Sequence, residues 1–170
     1  MNNHSQAGLV CVSSVNDYEN GLIKKHEFTR PDKEKDRIDH MMAIGAQTGN
    51  VFLAYKNVAA IDELLNKWMH EKNCQYHFIS EDNVTHSIWV INDDATIASI
   101  TQLFKTQVPV SYIADGHHRA ASAAKVRKAL GKNAPLAAGY FLTTLFPANQ
   151  LAILDYNRVI KDLNGLNAED

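Results

Sequence analysis

The stretch YIADGHHRAASAAKVRKAL, residues Tyr112–Leu130, predicts a strand that runs directly into a helix. The apolar run ends at Asp115-Gly116, and an alanine-rich segment begins at His117. Asp115 is of a residue type that caps helices, and Gly116 permits a tight turn and the close approach of another group. Because a helix N-terminus presents free N–H groups and a positive dipole end, this turn is suited to bind phosphate or carboxylate.

Two histidines and an arginine occupy the first turn of this helix, at His117, His118 and Arg119. An arginine can hold phosphate through two N–H donors, and a histidine can donate to an oxyanion or move a proton near neutral pH. Basic side chains in the first turn oppose the helix dipole, so a bound anion explains them better than local stability does. The alternative is an ordinary helix that begins after Asp-Gly and carries no site.

The same helix is strongly basic. From Gly116 to Lys132 there are five basic residues and no acidic residue, which gives a local charge of +5. This pattern leaves open a nucleic-acid-binding role, although the overall charge of −2 disfavours it. Adjacent helical positions point about 100° apart, so His117 and His118 do not converge on one ion. From this spacing we predict no metal-binding residues.

A second charged segment, GLIKKHEFTRPDKEKDRIDH, covers residues 21–40. Pro31 indicates that a helix begins there. Arg30, Lys33, Arg37 and His40 would share one face of that helix, so Arg30 and Arg37 are candidate phosphate ligands. The alternative is a solvated helix face with weak ion pairs. His26 and Glu27 precede the helix, where acid and base types can converge on a site.

The rest of the chain alternates between strand-like and helix-like patterns, with a hairpin around Glu81-Asp82-Asn83. We therefore predict an α+β (mixed α/β) fold, a mixed sheet with flanking helices. The expected strands are residues 9–15, a strand from Leu22 after the turn 16–21, 51–56, the two hairpin arms, 108–114, 136–146 and 151–160. The expected helices begin at residues 31, 59, 94 and 117.

The composition excludes several classes of protein. The chain has 170 residues, 45% of them hydrophobic and 21% charged, which is too apolar for a disordered chain. Apolar runs fall short of a membrane span, and the N-terminus lacks the pattern of a secretory signal. Only two cysteines are present, so we expect reduced thiols and a cytoplasmic location. We expect a single domain over residues 9–163, with flexible ends at 1–8 and 164–170.

The two segments together resemble the domain-of-unknown-function family numbered one thousand and fifteen. That family pairs a "Gly-x-Ile-x-x-His-Glu-x-Thr" segment with a later "Ala-Asp-Gly-His-His-Arg" turn. The second motif corresponds here to Ala114–Arg119. The residues that match the first are Gly21, Ile23, His26, Glu27 and Thr29, followed by Lys33, Glu34, Asp36 and Arg37. Because members of the family are usually longer at both ends, the resemblance implies that this chain is the central part of a longer architecture.

The family is also distantly similar to the ParB/sulfiredoxin-like superfamily, in which a Gly-x-His-Arg-type turn binds nucleotide phosphates. This likeness implies that Gly116, His118 and Arg119 hold phosphate, and that Glu27 or Asp115 is a general base or a magnesium ligand. It makes His26, Glu27, Asp115 and His118 candidate catalytic residues. The candidate phosphate-binding residues are Gly116, His117, Arg119, Arg30 and Arg37.

We therefore expect a phosphate- or nucleotide-binding domain. The most specific form of this hypothesis is an ATP-dependent phosphotransferase that acts on a small metabolite, with Mg²⁺ and ATP or ADP as cofactors. The expected partners are a nucleotide and a small-molecule substrate, without a membrane. Two alternatives stay open, namely a non-catalytic nucleic-acid-binding module of ParB-like type and an inactive truncated member of the family.

Overall fold

The computed structural model describes residues 4–155, 157–162 and 164–165. The predicted flexible ends lie in part outside the described residues, at positions 1–3 and 166–170. The helices are α1 (Val15–Glu19), α2 (Pro31–Ile44), α3 (Ala59–Glu71), α4 (Asp94–Gln107) and α5 (His117–Leu130). The strands are β1 (Leu9–Ser14), β2 (Ile23–Lys24), β3 (Val51–Tyr55), β4 (Tyr76–Ile79), β5 (Thr85–Ile88), β6 (Ser111–Asp115) and β7 (Tyr140–Pro147). Short 3₁₀ turns cover Gly131–Asn133, Leu136–Gly139 and Ala148–Gln150.

Five strands form one mixed sheet in the order β1-β7-β3-β6-β2. The pairs β1–β7 and β3–β6 are antiparallel, whereas β3–β7 and β2–β6 are parallel. Strands β4 and β5 form a separate antiparallel hairpin, as predicted. The prediction of an α+β fold with a mixed sheet and flanking helices is therefore confirmed.

The core lies between one face of the sheet and α5. Alternate residues of the strands point into it, including Leu53, Ile113 and Phe141. The middle of α5 is buried at every position from Ala120 to Ala124. Because these side chains are small, the helix backbone can pack close to the sheet. This packing fixes the N-terminal turn of α5 at the end of β6.

Two segments predicted from the sequence are wrong, and the strands predicted over 108–114 and 136–146 begin later, at Ser111 and Tyr140. The segment predicted as a turn, residues 16–21, is mostly the short helix α1, because Ser14 caps it through N–H groups of Asn16 and Asp17. Residues 151–155 and 157–160 form no strand, and Ile153 is fully exposed, because this apolar run finds no sheet edge among the described residues. Tyr156, inside that predicted strand, lies outside the described residues.

Within residues 4–155, 157–162 and 164–165, no helix combines the length and the apolar character that a membrane span requires.

Candidate functional site

The N-terminal turn of α5 is built on Gly116, which is the N-cap residue and has φ 96° and ψ 25°. A Cβ at this position would lie 3.2 Å from Cα of Val51 and 3.0 Å from Nε of Arg119. Glycine is therefore required both for the backbone conformation and for the close approach of β3. The expectation that Asp115 caps the helix is wrong, because Asp115 is the last residue of β6 and its carboxylate pairs with Arg119 instead.

Arg119 lies over two glycines. Its Cδ and Nη1 atoms would each lie 3.2 Å from a Cβ added at Gly49, and its Nε lies beside Gly116. Its Nη2 donates to Oδ2 of Asp115 at 2.5 Å, and its side chain is 31% exposed. The guanidinium is thus held at the helix start by packing and by one ion pair, while other N–H donors stay available.

A small cleft of about 110 Å³ opens beside Arg119. We call it the Arg cleft. It is lined by Arg37, His40, Met41, Gln47, Thr48, Gly49 and Arg119. Arg37 and His40 come from one face of α2, as the helical spacing predicts, so the structure brings two of the predicted phosphate ligands, Arg37 and Arg119, to one place.

On another side of the same turn, His26, Glu27 and His117 form a second group, which we call the His cluster. Each offers one ligand atom, and these atoms all lie within 4.8 Å of one another. Nδ1 of His117 is 3.4 Å from Oε2 of Glu27, and the rings of His26 and His117 meet edge to face at 4.4 Å. His26 and Glu27 are exposed, whereas the side chain of His117 is only 4% exposed.

The environment of His117 favours its neutral form. Burial lowers the pKa of this imidazole, and the nearby Glu27 carboxylate opposes that shift in part. Nε2 faces the backbone N–H of His26 at 3.5 Å, and Nδ1 faces the carboxylate of Glu27. A buried neutral imidazole next to a carboxylate can take up a proton or bind a metal ion.

His118 points in a third direction. It belongs neither to the residues that line the Arg cleft nor to the His cluster, and its Nδ1 is buried with no hydrogen-bond partner among the described residues. Glu34 is a buried residue of α2 whose carboxylate accepts a hydrogen bond from Lys125 of α5. The charge of His118 contributes to lowering the pKa of this carboxyl. Hydrogen bonds from Lys125, and next from Thr29, hold the pKa of Glu34 below its usual value.

The predicted site residues are therefore divided. His26, Glu27 and His117 are together, and Arg37, Arg119, Gly116 and Asp115 are together, while Arg30 lies in neither group. Arg30 makes an exposed ion pair of 2.9 Å with Asp32. The sequence reasoning missed the loop residues Gln47, Thr48 and Gly49, for which the only local signal was the Gly-rich end of α2.

A larger cleft of about 690 Å³ lies between α3 and α4. Trp68, Lys72 and Asp93 are among its lining residues. It contains none of the residues that the sequence motifs single out, and charges of both signs line it. The chemistry concentrated at the start of α5 is therefore separate from this larger cleft.

Comparison with known proteins supports the motif assignment. The chain matches the family described as "Protein of unknown function (DUF1015)" over residues 1–170, and it belongs to that family. No curated protein and no solved structure was found to match the chain.

Proposed function

We propose that this protein binds phosphate or a nucleotide at the Arg cleft and the adjoining start of α5. The observation that carries the proposal is that Arg37 and Arg119, from two distant motif segments, line one small cleft. The cleft lies beside a helix N-terminus, where backbone N–H groups and the helix dipole favour an anion.

The donors around the cleft suit a phosphate group. Two guanidinium groups can each offer paired N–H donors, and His40 and Thr48 add further polar groups. Gly49 and Gly116 carry no side chain that would collide with Arg119, so its guanidinium can lie close to the backbone. Such an arrangement neutralises the charge of a phosphoryl group, which is the main contribution that a protein makes to phosphoryl transfer.

We further propose that the bound nucleotide serves an ATP-dependent phosphotransferase reaction on a small metabolite. Glu27 is the candidate general base, because its carboxylate is 59% exposed and lies beside His117. Magnesium is usually held by one or two carboxylates together with substrate phosphates, and the exposed carboxylates of Asp115 and Glu27 fit this need. Bound magnesium would supply further charge neutralisation at the transferring phosphoryl group.

Two finer assignments belong to the same proposal. The Gly116-His117-His118-Arg119 turn at a helix start supports a likeness to the ParB/sulfiredoxin-like superfamily. A cytoplasmic location is supported by the two cysteines, Cys11 and Cys74, which are both free thiols.

A nucleic-acid-binding module has less support from the geometry. Of the five basic residues between Gly116 and Lys132, Arg119 pairs with Asp115 and Lys125 pairs with Glu34. These cations are directed at groups of the same chain. The third alternative is an inactive truncated family member. Such a protein would bind nucleotide without turnover, or would show neither binding nor turnover.

Calorimetry with ATP and ADP in magnesium tests the proposal. We expect binding by the wild-type chain, weakened roughly 10- to 150-fold in Arg119→Ala and in Arg37→Ala, since hydrogen bonds to charged groups contribute about 1.5–3 kcal/mol. A folded wild-type protein that binds neither nucleotide refutes the proposal.

Lys128→Ala is the matched control, because Lys128 is an exposed cation in the last turn of the same helix, away from the cleft. We expect this variant to bind nucleotide as the wild type does. If Lys128→Ala loses as much affinity as Arg119→Ala, general charge attraction explains the binding and the cleft does not.

A further inference from the structure

We infer that His26, Glu27 and His117 form a binding site for a divalent transition-metal ion, with Zn²⁺ as its reference ligand. The inference goes beyond phosphate binding, because it depends on the His cluster and not on the Arg cleft. The motivating observation is that three ligand atoms from two separate motif segments lie within 4.8 Å of one another.

The donor set indicates which metal fits. Two imidazoles and one carboxylate are the ligands of many catalytic zinc and non-haem iron sites, which leave further positions open for water or for a substrate oxygen. Magnesium prefers oxygen ligands and keeps much of its water. The His cluster offers one oxygen ligand against two nitrogens, so its chemistry favours a transition metal over magnesium.

The buried member of the cluster is poorly satisfied without an additional partner. The two ring nitrogens of His117 meet the N–H of His26 at 3.5 Å and the carboxylate of Glu27 at 3.4 Å. Both distances exceed the usual range of about 2.7–3.2 Å for a hydrogen bond of this kind. A metal ion between the three side chains would give the imidazole a strong partner.

The cluster has to contract only slightly to bind an ion. Metal–ligand bonds of about 2.0–2.2 Å in a tetrahedral site place ligand atoms roughly 3.3–3.6 Å apart, so a separation of 4.8 Å must close by about 1.2–1.5 Å. His117 is fixed by burial, whereas His26 and Glu27 are exposed in the segment between β2 and α2. These two side chains can therefore move toward His117 without disturbing the core.

Nearby positive charge does not oppose the ion strongly. Lys25, the residue before His26, places its ammonium group over the ring of Tyr18 at 4.0 Å. It is thus held in a cation–π contact. With a metal bound, Glu27 acts as a ligand and is not free to act as the general base, and Asp115 is the carboxylate left to hold magnesium at the Arg cleft.

The test uses the untagged full chain, titrated with Zn²⁺ and Mn²⁺ by calorimetry in the absence of nucleotide and phosphate. We expect one equivalent of metal to bind. We expect His26→Ala and Glu27→Gln to weaken binding by at least about tenfold, because loss of even an outer partner of a metal ligand costs 10- to 100-fold. Visible absorption of the Co²⁺ form should appear in the wild type and be absent from His26→Ala.

The chain offers a matched control in His70 and Glu71, an adjacent His-Glu pair that is exposed at the end of α3. His70→Ala and Glu71→Gln should bind metal as the wild type does. The inference is overturned if the folded wild type shows no saturable binding, if His26→Ala and Glu27→Gln bind unchanged, or if the His70 and Glu71 variants lose as much affinity. Failure of nucleotide binding leaves this result unaffected, since no nucleotide is present.

Discussion

His117 and Arg119 stand two positions apart in the same helical turn, yet their surroundings differ in almost every respect. His117 is buried against His26 and beside Glu27. Arg119 is partly exposed, lies over Gly49 and Gly116, and faces the Arg cleft. Imidazoles and a carboxylate therefore lie on one side of the helix start, in the His cluster, and guanidinium groups lie on the other side, at the Arg cleft.

The difference follows from helix geometry. Successive residues of an α-helix point about 100° apart, so residues two apart point to nearly opposite sides. His118, between them, lies close enough to Glu34 of α2 for its charge to contribute to the lowered pKa of that carboxyl. The adjacent side chains of His117, His118 and Arg119 thus face three different environments. The two chain segments that pack against this turn determine which ligand each side can bind.

The largest expected effect comes from Gly116→Ala, which should disrupt both sides together. An alanine at φ 96° is strained, and its Cβ would press on Cα of Val51 at 3.2 Å. We expect a loss of about 2–4 kcal/mol in the free energy of unfolding, measured by urea denaturation. Binding of both phosphate and metal should weaken in the same variant.

Gly45→Ala is the control for this prediction. Gly45 ends α2 with φ 65° and ψ 22°, and among the described residues a Cβ there meets open space. Only the backbone strain remains, so we expect a loss of about 1–2 kcal/mol. Equal losses in the two variants would show that the close approach of β3 to Gly116 contributes nothing.

A smaller effect, confined to the Arg side, is expected from Glu34→Gln. The buried carboxylate of Glu34 joins α2, which carries Arg37, to α5 through Lys125. Because Lys125 is 55% exposed and can turn to water, we expect a loss of about 1–3 kcal/mol at neutral pH. Phosphate binding should weaken as α2 loosens, while metal binding at the His cluster should stay unchanged.

The same variant predicts a change in acid stability. The pKa of Glu34 is lowered in the folded state, chiefly by the hydrogen bond from Lys125 and then by Thr29. This stabilisation is therefore present above the unfolded-state pKa and is lost as pH falls through the folded pKa. Between pH 7 and pH 3, the free energy of unfolding should fall less steeply for Glu34→Gln than for the wild type.

Asp39→Asn is the control, because it removes an exposed ion pair with Lys35. It should change the free energy of unfolding by less than about 0.5 kcal/mol, and a larger loss would contradict this explanation.

Much of this arrangement could be predicted from the sequence. The strand–turn–helix around Gly116, the helix start at Pro31 and the hairpin all follow local rules that act within a few residues. The common face of Arg37 and His40 follows from helical periodicity. These features depend on the backbone near each residue and need no knowledge of the tertiary fold.

The sequence could not show how the two segments meet. The periodicity of α2 suggests an apolar stripe that includes Met42 and Ile44, but both are about half exposed, and the one buried residue of α2 is Glu34. An ion pair between a buried carboxylate and a partner 91 positions away leaves no local pattern. Likewise, the spacing of His117 and His118 on one helix argues against a metal site formed by these two residues. The same spacing cannot show that His26 and Glu27, from another segment, approach His117.

The smallest expected effect is also the most specific to the Arg side, and it comes from Asp115→Asn. The Asp115 carboxylate competes with an incoming anion for Arg119, because it pairs with Nη2 of that side chain. Calorimetry with inorganic phosphate, without magnesium, should show binding tightened by roughly 1.4- to 5-fold, the range expected from an exposed ion pair. Asp32→Asn, which frees Arg30 from a similar pair away from the cleft, should leave phosphate affinity unchanged.

With magnesium and ADP, Asp115→Asn should instead weaken binding, because Asp115 then serves as a magnesium ligand. Weaker binding of phosphate alone by Asp115→Asn would show instead that this carboxylate maintains the cleft.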